Sequence, residues 1–161
     1  MFSLPSKKGK AAELCPCGSQ QVYAQCCEPF ISGSKLAPTP EALMRSRYSA
    51  YAKGAYPYIL ATYATPTRLS LSASSLAEHD EATHWRRLEL VQAQDIEVEF
   101  KAYYQVQGQY YLMHEVSEFV QENGEWRYSE GHIQPDSGKL ILGRNSSCAC
   151  GSGKKFKRCC A

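Results

Sequence analysis

Residues 96–133 read IEVEFKAYYQVQGQYYLMHEVSEFVQENGEWRYSEGHI, and their two-residue alternation is that of a sheet with one apolar and one polar face. Two turn signals interrupt the alternation, Gln107-Gly108 and Asn123-Gly124, and the second pair tolerates the positive φ of a type I′ hairpin. With two-residue loops at both, residue 104 faces 111 and residue 119 faces 128. Counting outward, one face runs from Ile96, Val98 and Phe100 through Tyr111 and Met113 to Phe119, Trp126 and Tyr128, and it also carries Glu115, Ser117, Glu130 and His132. The opposite face, with Glu97, Glu99, Lys101, Gln105, Glu118 and Arg127, reads as solvated. The alternation reaches back to Trp85, so residues 85–133 are expected to form an antiparallel meander.

In this register Glu115 lies across from His132, and Ser117 across from Glu130. Buried carboxylates and imidazoles are costly unless paired. The four residues therefore read as a satisfied structural cluster near the rim, or as an acid/base pair in a small-molecule pocket. A one-residue bulge in either hairpin would flip half of the inner face to the outside.

Upstream of the meander, Thr39-Pro40-Glu41 is a helix start: an N-cap, a proline at N1 and an acidic first turn. Leu43, Met44, Tyr48 and Tyr51 then form an apolar stripe ending at Gly54. A second helix is expected over residues 56–63, and a third, weaker one capped by Ser74 or Ser75. Helices followed by a curved sheet with one apolar face make an α+β domain.

The eight cysteines stand outside that domain, in windows 15–27 and 148–160. Cys15, Cys17, Cys26 and Cys27 follow C-x-C-x8-C-C, and Cys148, Cys150, Cys159 and Cys160 repeat the spacing. Four sulfurs gathered in so short a window suit tetrahedral Zn2+, one ion per cluster, whereas a disulfide framework spreads its cysteines along a secreted chain. Unliganded thiols and a redox dithiol are the competing readings, and neither cluster contains the C-x-x-C of the latter. Gly18 and Gly151 follow the second cysteine, where the chain must turn sharply. Ser19 and Ser152 are expected to cap the short helix that returns the last two cysteines, with Tyr23 and Phe156 as apolar plugs. Cys27 and Cys160 are the weakest ligands, because adjacent residues on a helix point in different directions.

GRNSSCACGSGKKFKRCC (143–160) resembles the SEC-C motif, the zinc-binding tail of the SecA preprotein translocase, although that tail usually has histidine where this chain has Cys160. LCPCGSQQVYAQCC (14–27) keeps the cysteines, Gly18 and Ser19 but not the lysines. Together with EALMRSRYSAY (41–51), Glu115-x-Ser117-x-Phe119 and Trp126-x-Tyr128, the two copies resemble the YchJ-like family of bacterial proteins. That resemblance implies an NTF2-like cone over residues 36–137, between a zinc knuckle at 1–35 and another at 138–161, with a cavity under the apolar sheet face.

The net charge of +2 conceals an uneven distribution: eight basic against fourteen acidic residues over 38–138, and six basic residues with no acidic one over 139–161. Four thiolates on Zn2+ would lower the +6 of that last segment only to about +4. Three functions follow. The first is a protein-interaction module in which Lys154, Lys155, Phe156, Lys157 and Arg158 dock on an acidic surface, which the SecA resemblance places in export or chaperone machinery. The second is ligand binding or catalysis in the cavity, although no nucleophile is evident. The third is nucleic-acid or ribosome binding, against which the acidic body argues. MFSLPSKKGK at the start has no apolar run after its lysines, and nowhere does an apolar run approach the ~18 residues of a membrane span, so a cytoplasmic protein is expected.

Overall fold

The computed structural model describes residues 12–161, so the reading of MFSLPSKKGK lies outside the described residues. Among the described residues five α-helices, α1 (Glu28–Ile31), α2 (Pro40–Lys53), α3 (Tyr56–Ala61), α4 (Thr65–Ser70) and α5 (Ala73–Asp80), precede a five-stranded antiparallel sheet. Its strands are β1 (Thr83–Gln94), β2 (Glu97–Val106), β3 (Gln109–Glu122), β4 (Glu125–Ile133) and β5 (Gly138–Lys139). The order is β1-β2-β3-β4, and β5 continues along β3 past the end of β4. The architecture is the expected α+β arrangement. Among the described residues no helix is long and apolar enough to cross a membrane.

Helix α2 forms as its signals dictate. The Thr39 Oγ1 accepts from the Ala42 N–H at 3.1 Å, Pro40 supplies N1, and Gly54 stops the helix at φ +70°. Its buried face holds Leu43, Met44 and Tyr48, but also Ser46, Arg47 and Ser49. Helix α5 is capped by Ser72 rather than Ser74 or Ser75, with Ser75 returning the bond in a capping box. Helices α1 and α4 were not expected from the sequence; at four and six residues they are too short to show a period.

Both hairpins close with two-residue loops, pairing Val106 with Gln109 and Glu122 with Glu125, and all four loop residues take positive φ. Residue 104 faces 111 and 119 faces 128, as the sequence requires. Below that point the β3–β4 register slips at Glu118/Phe119, so Glu118 pairs with Glu130, Ser117 with Gly131, Val116 with His132 and Glu115 with Ile133. The bulge leaves Ser129 unpaired and turns His132 and Glu130 to the outer face. Ile96 is also displaced from its expected inward position: it sits in the β1–β2 turn beside Asp95 (φ +52°) and is 48% exposed. Two further register shifts in β1, at Trp85/Arg87 and Leu90/Gln92, curl the sheet around the helices.

The main core joins helix, sheet and amino-terminal knuckle. Leu43, Met44 and Tyr48 pack with Val98, Phe100, Ala102 and Phe119, and Cys15, Cys17 and Cys27 belong to the same cluster. A ladder of rings, Tyr48 to Trp85 (5.7 Å), Trp85 to Tyr104 (5.4 Å) and Tyr104 stacked on Tyr111 (5.4 Å), walls the space between α2 and the sheet. Each fully buried side chain of this size is worth about 1.5–3 kcal/mol.

Candidate metal centres and pocket

The two knuckles share one backbone path. In the first, Leu14 bridges Val22, Cys15 N–H donates to the Gln21 carbonyl at 2.8 Å, and Gly18 turns the chain at φ +77°. A 3-10 turn over Tyr23–Gln25 then returns Cys26 and Cys27. In the second, Ser147 bridges Lys155, Cys148 N–H donates to Lys154 at 2.9 Å, Gly151 turns at φ +79°, and Phe156–Arg158 form the 3-10 turn. The four sulfurs of each set lie within 4.8 Å of one another, and all eight thiols are free of disulfides.

The spacing suits a four-coordinate ion. Zn–S distances of ~2.3 Å in a tetrahedron place sulfurs about 3.8 Å apart. Cys17 and Cys26 are 3.6 Å apart, Cys26 and Cys27 3.9 Å, Cys150 and Cys159 3.4 Å, and Cys159 and Cys160 3.7 Å. Adjacent cysteines converge because Cys26 (φ −115°, ψ −92°) and Cys159 (φ −135°, ψ −81°) leave helical geometry and swing the following side chain back. This removes the objection that neighbouring helical residues diverge.

Ser19 and Ser152 do not cap helices; neither 3-10 turn has a side-chain cap. Instead each hydroxyl accepts a backbone N–H two residues on at 3.2 Å and lies 3.1 Å (Ser19) or 3.2 Å (Ser152) from the third sulfur of its cluster. The hydrogen bond from Cys27 pulls the Cys17 thiol down to about 4, and the Ser152 hydroxyl pulls Cys150 down to about 6. Hydrogen bonding to Cys17 and burial hold Cys27 up, and burial pushes Cys148 up to about 12. In each cluster one thiol is thus biased toward the thiolate form that a metal ion binds.

The clusters differ in what surrounds them. Cys17 and Cys27 are 0% and 1% exposed, and α2 grips their loop: Arg45 Nη1 donates to the Cys17 carbonyl at 3.0 Å, and the Ser49 hydroxyl lies 3.4 Å from Cys15 Sγ. At the other end only Cys148 is buried, and Cys159 and Cys160 are exposed. That knuckle leans on the outer sheet face through Phe156, edge-on to Tyr110 at 5.7 Å, and through Gly151, where an added Cβ would lie 2.6 Å from Arg87 Cδ. Phe156, expected as an exposed docking anchor, is thus half-buried against its own chain, whereas Lys154, Lys155, Lys157 and Arg158 are exposed.

The expected Glu115–His132 pair does not form. His132 faces solvent 3.2 Å from Glu118, and the exposed Glu130 stands beside them. Glu115 and Ser117 do point inward, 8% and 1% exposed. The Ser117 hydroxyl donates to Glu115 Oε1 at 2.6 Å and the Tyr128 hydroxyl donates to the same oxygen at 2.9 Å. Burial and the nearby carboxylate hold Tyr128 in its protonated, donating form.

These residues line a cavity of about 670 Å³ between α2, α5 and the inner sheet face, a volume typical of small-molecule sites. Its walls are Tyr48, Trp85, Phe100, Tyr104 and Phe119, and its polar groups include Arg47, Asp80, Glu115 and Ser117. Arg47 was missed in the sequence, although it sits three and four residues after Met44 and Leu43 on the buried stripe of α2. Asp80, which accepts from Tyr56 Oη and Trp85 Nε1 at 2.9 Å each, was missed as well.

Comparison with known proteins agrees with this anatomy. Residues 39–131 match the model of the YchJ middle NTF2-like domain, and 12–29 and 144–161 each match the SEC-C motif. A UPF0225 protein of Vibrio parahaemolyticus is 39% identical, with 92% of this chain and 99% of the relative covered. A UPF0225 protein of Geobacter sulfurreducens is 38% identical over 91% and 97%. The solution structure of a SEC-C motif containing protein from Rhodopseudomonas palustris superposes with a TM-score of 0.70 at 33% identity, covering 74% of this chain and 98% of that one. The crystal structure of a SEC-C motif containing protein from Psychrobacter arcticus gives 0.65 at 29%, over 92% and 95%.

Proposed function

Because the chain belongs to the YchJ-like, UPF0225 family, an NTF2-like domain between two SEC-C motifs, we propose that it is a binding protein held in shape by two zinc ions, with its ligand in the central cavity. The observation that carries this reading is the shared core: Cys15, Cys17 and Cys27 pack in one cluster with Phe100 and Phe119, which also line the cavity. A metal that fixes the knuckle thereby fixes one side of the chamber. Four protein sulfurs leave no open position for water, so the zinc is structural. The test is binding of the neutral naphthalene dye prodan. Wild type and Cys159→Ser should bind it with a blue-shifted emission, and Cys17→Ser should not. Unchanged binding by Cys17→Ser would overturn the linkage of metal to chamber.

A second reading rests on the exposed cations of the carboxy-terminal knuckle. Lys154, Lys155, Lys157 and Arg158 occupy the positions held in the first knuckle by Gln21, Val22, Ala24 and Gln25. A basic surface on only one of two otherwise matching modules fits docking on an acidic protein, of the export or chaperone type that the SEC-C likeness suggests, in the cytoplasm. Affinity capture by the wild-type protein in saturating RNA, lost on Lys154→Glu with Lys155→Glu, supports it. Capture abolished by RNA alone favours nucleic acid instead.

A further inference from the structure

Arg47 is 6% exposed and faces the cavity, yet among the described residues it forms no ion pair. Its two protein hydrogen bonds, to the Ile59 carbonyl at 2.9 Å and the Thr62 hydroxyl at 2.6 Å, both leave from Nη1. The guanidinium carries five N–H groups, so the three on Nε and Nη2 find no acceptor among the described residues. Tyr63 and Tyr128, themselves edge-to-face at 5.5 Å, both lie against the cation, with Cζ 4.4 and 4.7 Å from the centroids, contacts that favour the charge without neutralising it. A buried charge left without a counterion is expensive, and structures that keep one generally use it.

We infer that the cavity takes a monocarboxylate with an aromatic or alicyclic body, its carboxylate on the free edge of Arg47 and its body against Trp85, Tyr104 and Phe100. This inference rests on the reading of the cavity as a ligand chamber. The planar guanidinium matches a carboxylate with two parallel N–H bonds. Geometry selects a single carboxylate: Arg47 is the one guanidinium in a lining that also holds His79, Asp80 and Glu115, so a second carboxylate on the ligand finds no second planar partner. The Glu115 Oε1 is already occupied by Ser117 and Tyr128, and its charge pushes the ligand carboxylate toward the Tyr63 side of Arg47.

The test is isothermal titration calorimetry of the zinc-loaded protein with 2-naphthoate and with 2-naphthamide, which has nearly the same shape and no charge. The naphthoate should bind about tenfold or more tightly than the amide, the worth of hydrogen bonds to a charged group. That preference should vanish in Arg47→Gln, survive in part in Arg47→Lys, and grow several-fold in Glu115→Gln. Retained amide binding by Arg47→Gln shows that its cavity is intact. Equal or tighter binding of the amide by wild type overturns the assignment of the anion while leaving the chamber; binding of neither overturns both.

Discussion

Gly131 shows how closely the inner cluster is fitted. A Cβ there would lie 2.2 Å from Glu115 Oε1 and 2.4 Å from the Tyr128 hydroxyl, so only glycine lets the carboxylate reach both donors. Gly131→Ala should lower stability by about 1–3 kcal/mol, read from urea denaturation at unchanged slope. His114 makes a pH prediction. Burial favours its neutral ring, but Glu99 at 2.8 Å and Asp136, set against the repulsion of Lys101, raise its pKa overall. A raised folded pKa means that the stabilisation is complete below the unfolded value of ~6.5 and is lost as pH rises through the folded one. The melting difference between wild type and His114→Gln should therefore be larger near about pH 5.5 than near about pH 8.5. An equal difference at both would show that the ring acts through packing alone. The two convergent cysteine clusters were legible because residue type and spacing repeat; Arg47 was not, because a cation on an apolar stripe looks like an interruption rather than a site.

At the scale of elements, the strongest local signals determined what they should. Asn123-Gly124 and Gln107-Gly108 adopt the positive φ their composition permits, and Thr39, Pro40 and Gly54 bound α2. Gly124→Ala, at φ +77° with open space around it, should cost about 1 kcal/mol through backbone strain alone. The bulge at Glu118/Phe119 had no such signal, because Ser129 is an ordinary strand residue. One unpaired residue was enough to separate Glu115 from His132 and dissolve the expected acid/base pair. The two knuckles, alike in sequence, part company in burial, which no spacing could reveal. Cys17→Ser should therefore lower the global melting transition, since Cys17 is wholly buried in the main core, whereas Cys159→Ser should leave it nearly unchanged and loosen only the last residues. Hydrogen exchange distinguishes the two outcomes.

For the whole molecule, the organisation is a core that extends into one cysteine knuckle and carries the other on its surface. The acidic body and basic end were readable from charge counts, and the α+β order from periodicity, because both are sums over many residues. The chamber was readable only as a family expectation; its polar lining depends on the register and on side chains from several separate elements. The shape of the two knuckles depends on thiolates enclosing metal, and the decisive measurement is zinc per chain, by plasma mass spectrometry on protein purified without added metal. Two equivalents are expected in wild type and one in Cys159→Ser. Wild-type protein that retains its fold and both ordered ends with no stoichiometric zinc would contradict it.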